Sequence, residues 1–305
     1  MNVFVAGASG TIGVPLVRAL VLAGHDVTAM TRTPAKQEML RVLGAAPVVA
    51  DALDADAVTR VVAGARPTHV IHQLTALPKA GPKRVADLAE TNRLREEGTR
   101  NLLSAAIAAG ARRFIGGSFA IVPRAGAEVP ADLEGAGAAV ESMERQIVEA
   151  SQRGAIEGLV LRYGGFYGPG QPMTDDLFER VRRGRLFTVR NDHGLLPFIH
   201  LADAVSATIA ALEHGRPGGV YDIVDDRAVS FSEVVNVAAE IMGRPRPRAV
   251  PLWVPRLLMP YFARFISVRM PLSNAAARAE LGWRPAYPTI REGLAKTLAR
   301  SAEAA

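Results

Sequence analysis

Three glycines, at positions 7, 10 and 13, follow the apolar run Val3 to Ala6 and precede a second apolar run from Ile12 to Leu22. A strand, a glycine turn and a helix start in this order form an anion site, because the first N–H groups of the helix lack intrahelical partners and point outward. Gly7 permits the tight turn, Gly10 lets the backbone approach a phosphate, and Gly13 lets the helix sit against the strand. The loop Gly7, Ser9, Gly10, Thr11, Ile12 and Gly13 is therefore expected to hold the pyrophosphate of a dinucleotide. A plain glycine-rich turn is the alternative.

The next residues able to do chemistry end the second strand, His25 to Met30. They read Thr31-Arg32-Thr33, with Lys36 close behind and no carboxylate among them. A carboxylate here would accept from a ribose 2′-hydroxyl. A guanidinium beside a small hydroxyl residue suits a 2′-phosphate, since its fork of donors matches phosphate oxygens. Thr31 and Arg32 thus predict NADP, with NAD less favoured. Arg32 could instead simply cap the strand end at the surface.

These residues need a scaffold. The chain has 305 residues, 49% of them hydrophobic, which suits one large or two medium globular domains. It has no cysteine, which excludes disulfides and thiolate metal sites; no metal site is expected. No apolar run is long enough to span a bilayer, and the N-terminus enters a core strand directly, so a cytoplasmic location without a membrane partner is expected. The net charge of +6 comes mainly from scattered arginines without interleaved aromatics. That pattern argues for a basic surface attracting an anionic cofactor rather than for a nucleic-acid partner.

Further apolar segments predict strands at 46–50, 68–75, 113–118, 158–163 and 220–224. Helices are predicted at 55–63, 85–109, 137–153, 175–184, from Asp203 to 213, and 230–242. Pro78 to Arg84 reads as a loop. Strands alternating with helices indicate an α/β fold, a doubly wound parallel sheet. Asp54 and Asp203 are expected to cap helices, as is Ser230 with Glu233.

Several segments resemble the extended short-chain dehydrogenase/reductase superfamily, which includes nucleotide-sugar epimerases and dehydratases. They are the glycine loop; Gly98-Thr-Arg-Asn-Leu-Leu103; Leu161-Arg-Tyr-Gly-Gly-Phe-Tyr-Gly-Pro169; Phe198-Ile-His-Leu-Ala-Asp203; and Ser273-Asn274 with Leu281-Gly-Trp-Arg-Pro285. The resemblance covers nearly the whole chain. It implies a Rossmann domain over residues 1–165, with about 195–224 returning to it, and a smaller α/β substrate domain in most of 166–305. It also implies that Asp51 and Ala52 meet the adenine, and that Gln73, Leu74, Thr75 and Ser118 border the nicotinamide ribose. Tyr163, Gly164 and Gly165 would lie under the carboxamide. His72 is expected to be a packed structural histidine. Where the family carries an Asn three residues before Gly98, this chain has Arg95, with Asn92 one turn earlier.

The family's proton relay is a Tyr with a Lys four residues later, on the helix after the fifth strand. Here the first tyrosine is Tyr163, and no lysine occurs between Lys83 and Lys296. The family's catalytic hydroxyl slot is Phe119, with Ser118 one residue earlier and so on the opposite strand face. The usual alcohol/ketone relay cannot operate. Tyr163, His193, Ser118, water or the substrate could supply a proton, or the hydride transfer needs none.

The resulting expectation is an atypical NADP(H)-dependent oxidoreductase acting on a small hydrophobic carbonyl or alcohol. An epimerase or dehydratase, or a non-catalytic NADP(H) sensor, are the alternatives. The apolar stretch Trp253 to Val268 would line a pocket or form a homodimer face.

Overall fold

Alternation along the first strand sets the layers. In β1 (Asn2–Ala6), Val3 and Val5 face one side of a sheet while Phe4 and Ala6 face the other, and all four are fully buried. A strand buried on both faces belongs to a sheet covered by helices on both sides.

The computed structural model describes residues 1–78, 82, 84–120 and 134–303. After β1 the chain runs α1 (Gly13–Leu22), β2 (Asp26–Thr31), α2 (Gln37–Val42), β3 (Ala46–Val49), α3 (Ala55–Ala65) and β4 (His69–His72). Next come α4 (Ala89–Arg93), α5 (Thr99–Ala108), β5 (Arg113–Phe119), α6 (Glu134–Gln152) and β6 (Glu157–Tyr163). Then follow β7 (Gly165–Tyr167), α7 (Pro172–Arg182), β8 (Phe187–Val189), β9 (Phe198–His200), α8 (Leu201–His214), β10 (Val220–Ile223) and α9 (Phe231–Ile241). The chain closes with β11 (Arg248–Val250), α10 (Trp253–Leu258), α11 (Pro260–Ile266), α12 (Ala275–Leu281) and α13 (Ile290–Glu303).

Seven parallel strands form the main sheet in the order β10-β6-β5-β4-β1-β2-β3. The order reverses between β1 and β4, which opens a crevice at the carboxyl ends of those strands. One face packs on α1, α2 and α8, the other on α3, α5 and α6. The expected α/β doubly wound fold is therefore the observed one.

Residues after β6 build a smaller unit around Tyr167, Phe178, Phe198, Val237, Val268 and Leu294, with two short parallel strand pairs, β7 with β9 and β8 with β11. β10 and α8 return to the main sheet and its helical layer. So do Ala277, Leu281 and Trp283, whose indole Nε1 donates to Ser206 Oγ at 2.9 Å. Asn274 Nδ2 donates to the Val224 carbonyl at 2.9 Å, tying the C-terminal segment to the end of β10.

Two local expectations need correction. Residues 85–109 are not one regular helix: a 3₁₀ turn at Val85–Leu88, α4, a π turn at Leu94–Gly98 and α5 follow one another. The cap of α8 is His200, whose Nδ1 accepts from Ala202 N at 3.3 Å. Asp203 instead accepts from Ala286 N and Tyr287 N at 2.7 and 2.9 Å, since its side chain points to the C-terminal loop rather than back along the helix. Asp54 and Ser230 cap α3 and α9 as expected. In the 253–268 stretch Trp253, Leu257 and Leu258 are exposed, while Ala263, Ile266 and Val268 are buried. Residues 79–81 and 83 of the Pro78–Arg84 loop lie outside the described residues, as do Ile121 and Val122.

Where the two units meet, Tyr167 donates to Asp225 Oδ2 at 2.9 Å, and Asp225 Oδ1 and His200 Nε2 are buried without a hydrogen-bond partner among the described residues. Burial pushes the Asp225 carboxyl up to about 8, despite the Tyr167 hydrogen bond. The native state thus holds a proton there that an unfolded carboxyl releases near 3.8. This contribution to stability is complete below the unfolded value and is lost as pH rises through about 8. Burial holds His69, His72 and His200 down at about 4, and their contributions run the other way, lost as pH falls. Asp225→Asn isolates the carboxyl from the histidines. The unfolding free energy of the parent is expected to fall relative to the variant between about pH 5 and pH 8, with a slope of up to about 1.4 kcal/mol per pH unit. Urea denaturation across that range measures it, and a pH-independent difference would contradict the assignment.

Candidate functional site

The glycine loop, the segment after β4 and the last residues of β5 and β6 come together along the carboxyl edge of the sheet. Gly7 has φ +84° and hydrogen-bonds through its carbonyl to Gly10 N at 3.0 Å. A Cβ on Gly7 would stand 2.6 Å from the Gln73 carbonyl, and one on Gly13 would stand 2.1 Å from the Gly7 carbonyl. The turn therefore closes only without side chains at these two positions. Gly10 is exposed, and Ile12, the N-cap of α1, has no side-chain cap hydrogen bond. This cradle with open helix N–H groups fits a pyrophosphate. Thr11 is exposed on the same loop.

Beyond the loop, Ser9 Oγ meets Thr31 Oγ1 at 2.9 Å, and Lys36 Nζ reaches the Ser9 carbonyl at 3.4 Å. Arg32, half exposed, pairs with Glu90 of α4, which raises its pKa through a hydrogen bond and charge attraction. Sequence reading missed Glu90, because 58 residues separate the partners. Asp51 Oδ1 accepts from Leu53 N at 2.9 Å, and the buried Ala52 offers its carbonyl to Asn101 Nδ2 at 2.9 Å.

At the other half of the crevice, two hydrogen-bonded chains lie on opposite faces of the sheet. In β6, Leu159, Leu161 and Tyr163 face α8, whereas Ser118 of β5 faces α6. Gln73 Nε2 donates to Tyr163 Oη at 3.0 Å, and Tyr163 Oη lies 2.8 Å from Thr208 Oγ1. Thr208 spends its own proton on the Ala204 carbonyl at 2.7 Å, so the tyrosine proton goes to Thr208. Burial pushes the Tyr163 phenol up to about 12. On the α6 face, Ser118 Oγ donates to Glu144 Oε1 at 2.6 Å, and Arg162 holds both Glu144 oxygens, at 2.9 and 2.5 Å.

The candidate proton donors therefore do not converge. The Tyr163 hydroxyl points into the core toward α8 rather than into the cleft, because odd positions of β6 face that layer. Ser118 is committed to Glu144. His193 has an exposed ring on a turn whose Asp192 binds Ser232 N at 2.9 Å, within the smaller unit. Gly164 also has a different reason: a Cβ there would stand 2.8 Å from the Phe198 backbone carbon, so β9 rather than a ligand makes the close approach. Gly165 faces the Phe198 ring in the same way. Leu74 N donates to His72 Nδ1 at 3.1 Å, so His72 Nε2 carries the proton given to Thr99 Oγ1 at 3.0 Å; this buried neutral histidine is structural. Thr75 follows Leu74 at the crevice and is exposed. No group of metal-binding side chains occurs among the described residues, nor any helix long and apolar enough to cross a membrane.

Residues 3–224 match the model of the NAD dependent epimerase/dehydratase family. The chain belongs to that family. It is 39% identical, over 97% of its length and 100% of the relative's, to a 3-diazoavenalumate denitrifying reductase of Streptomyces. A 2-alkyl-3-oxoalkanoate reductase of Stenotrophomonas maltophilia is 29% identical over 99% of this chain and 100% of that one. The UDP-glucose 4-epimerase of Thermus thermophilus, solved with NAD, superposes with a TM-score of 0.79 at 24% identity, covering all of both chains, and shows the shared fold. The chain is thus an oxidoreductase of an NAD(P)-dependent family.

Tyr163→Phe tests the reading of the buried phenol. It leaves Thr208 and Gln73 each short of a partner, so a loss of about 1–3 kcal/mol in unfolding free energy is expected. Turnover at saturating cofactor should stay within a few-fold of the parent. A rate loss of about 10²-fold or more would instead make Tyr163 a general acid.

Proposed function

We propose that this protein is an NADP(H)-dependent reductase whose hydride acceptor is a carbon that needs no proton from the protein, foremost a carbon bearing a diazonium group. The observation that carries the reading is the commitment of both hydroxyl protons at the sheet edge, Tyr163 to Thr208 and Ser118 to Glu144. The stretch 121–133, outside the described residues, contains no Tyr, Lys, His or Cys either. The dihydronicotinamide supplies one hydride when bound. At a diazonium carbon a C–H bond forms, the C–N bond breaks, and its electron pair leaves with N₂. Charge and atoms balance without any acid. The denitrifying function in the relative's name supports this choice.

Reduction of a small hydrophobic carbonyl, with the alkoxide protonated by water, is the second reading, favoured by the oxoalkanoate reductase. An epimerase or dehydratase reaction has less support, since it relies on the absent Tyr. On this proposal the glycine loop holds the pyrophosphate, Asp51 and Ala52 border the adenine, and Gln73 to Thr75 border the nicotinamide ribose. Thr31, Arg32 and Lys36 receive the 2′-phosphate, with Arg32 exchanging Glu90 for it.

Incubation with a hydroxybenzenediazonium salt and NADPH deuterated on either face of C4 tests the reaction. Enzyme-dependent N₂ release is expected, with deuterium at the aryl carbon from one face only. Without it, label appearing at C3 of the 3-hydroxyalkanoate formed from a 3-oxoalkanoate would establish the carbonyl reading. For the cofactor, Arg32→Ala is expected to weaken NADPH about tenfold or more and leave NADH nearly unchanged, by fluorescence titration. Equal losses would remove the 2′-phosphate contact.

A further inference from the structure

The π turn at Leu94–Gly98 turns Leu94, Arg95 and Gly98 inward together. Such turns widen a helix locally and recur at functional sites. Three contacts pin this one: Ala76 N donates to Thr91 Oγ1 at 2.8 Å, His72 Nε2 meets Thr99 Oγ1 at 3.0 Å, and Gln146 Nε2 donates to the Glu96 carbonyl at 3.2 Å. The turn is thereby fixed between the exit of β4 and helix α6, beside the carboxyl end of the sheet.

Arg95 is 8% exposed, and among the described residues its guanidinium makes one hydrogen bond, to Asn92 Oδ1 at 3.3 Å. No carboxylate pairs with it there. Glu144 is near enough for its charge to act on Arg95, but both Glu144 oxygens are already held by Arg162, one of them also by Ser118. The other basic neighbour, His72, is neutral and adds no counter-charge. Burial lowers the Arg95 pKa to about 10, still far above neutrality, so the group remains a cation. A buried cation without an anion is costly, and an anionic ligand group would complete the pair. A guanidinium presents five donors in a planar fork, and four of them have no partner among the described residues, which matches a carboxylate.

We propose that Arg95 is the anchor for an anionic group of the substrate, a carboxylate on an aromatic or aliphatic acid, which fixes the reacting carbon at the carboxyl edge of the sheet. The inference rests on the reductase reading for the site, but not on which carbon accepts the hydride. It differs from the cofactor contacts in place, since Arg95 lies on the β4–β5–α6 side of the crevice and the glycine loop follows β1.

Calorimetric titration of the NADP⁺-loaded protein tests it without turnover. The probes are 4-hydroxycinnamate and its uncharged amide. The parent is expected to bind the carboxylate at least about tenfold more tightly than the amide. Arg95→Gln should abolish that preference with NADP⁺ affinity unchanged, and Arg95→Lys should retain part of it. Equal binding of acid and amide by the parent, or a preference that persists in Arg95→Gln, would overturn the proposal. So would a tenfold loss of NADP⁺ affinity in Arg95→Gln, which would give Arg95 to the cofactor. Should Arg95→Gln fail to fold, the parent's acid-to-amide ratio and its change in Arg95→Lys decide the question. Failure of the deuterium transfer would leave this binding result intact, so the two readings fall separately.

Discussion

Every strand of the central sheet except its edges is covered by helices on both faces, and this constraint governs the rest. Side chains along such a strand must alternate between two dry layers. Polar groups near the carboxyl edge are therefore assigned to one layer or the other before any chemistry is considered. β5 and β6 run in register with Ser118 opposite Arg162 and Phe119 opposite Tyr163. Ser118 and Arg162 consequently meet Glu144 on the α6 side, while Tyr163 meets Thr208 on the α8 side. The two hydroxyls never share a reacting atom.

Once polar groups enter those layers, they must find partners there. Tyr163, Thr208 and Gln73 form one closed account, and Ser118, Glu144 and Arg162 another. Arg95 is the exception, a cation at the same end of the sheet with a single weak hydrogen bond among the described residues. At this edge the Tyr163 and Ser118 protons are committed, and among the described residues no carboxylate pairs with the Arg95 guanidinium.

The C-terminal segment fastens the smaller unit to this frame. Asn274 holds the end of β10, Trp283 holds α8, and Asp203 of α8 holds the Ala286 and Tyr287 amides. These contacts explain physically why Ser-Asn and Leu-Gly-Trp-x-Pro occur together near the end of the chain. They are the polar and aromatic clasps of one joint, and Asp225 with His200 lies buried within it.

The sequence by itself determined the parallel α/β fold, the glycine turn and the absence of a Tyr/Lys relay. These are local: strand periodicity, the steric freedom of glycine, and the presence or absence of a residue type in a window. Caps at Asp54 and Ser230 were legible for the same reason, since donor and acceptor lie three residues apart. Only the tertiary structure decided what long-range partners decide. Gln73 and Thr208 claim the Tyr163 hydroxyl from 90 and 45 residues away, and Glu90 claims Arg32 from 58. The π turn that buries Arg95 was invisible because its residues suit an ordinary helix, and packing against α6 and β4 selects the wider turn. A side chain's type is written in the chain, but the partner that holds its proton or charge is fixed only when distant strands and helices close around it.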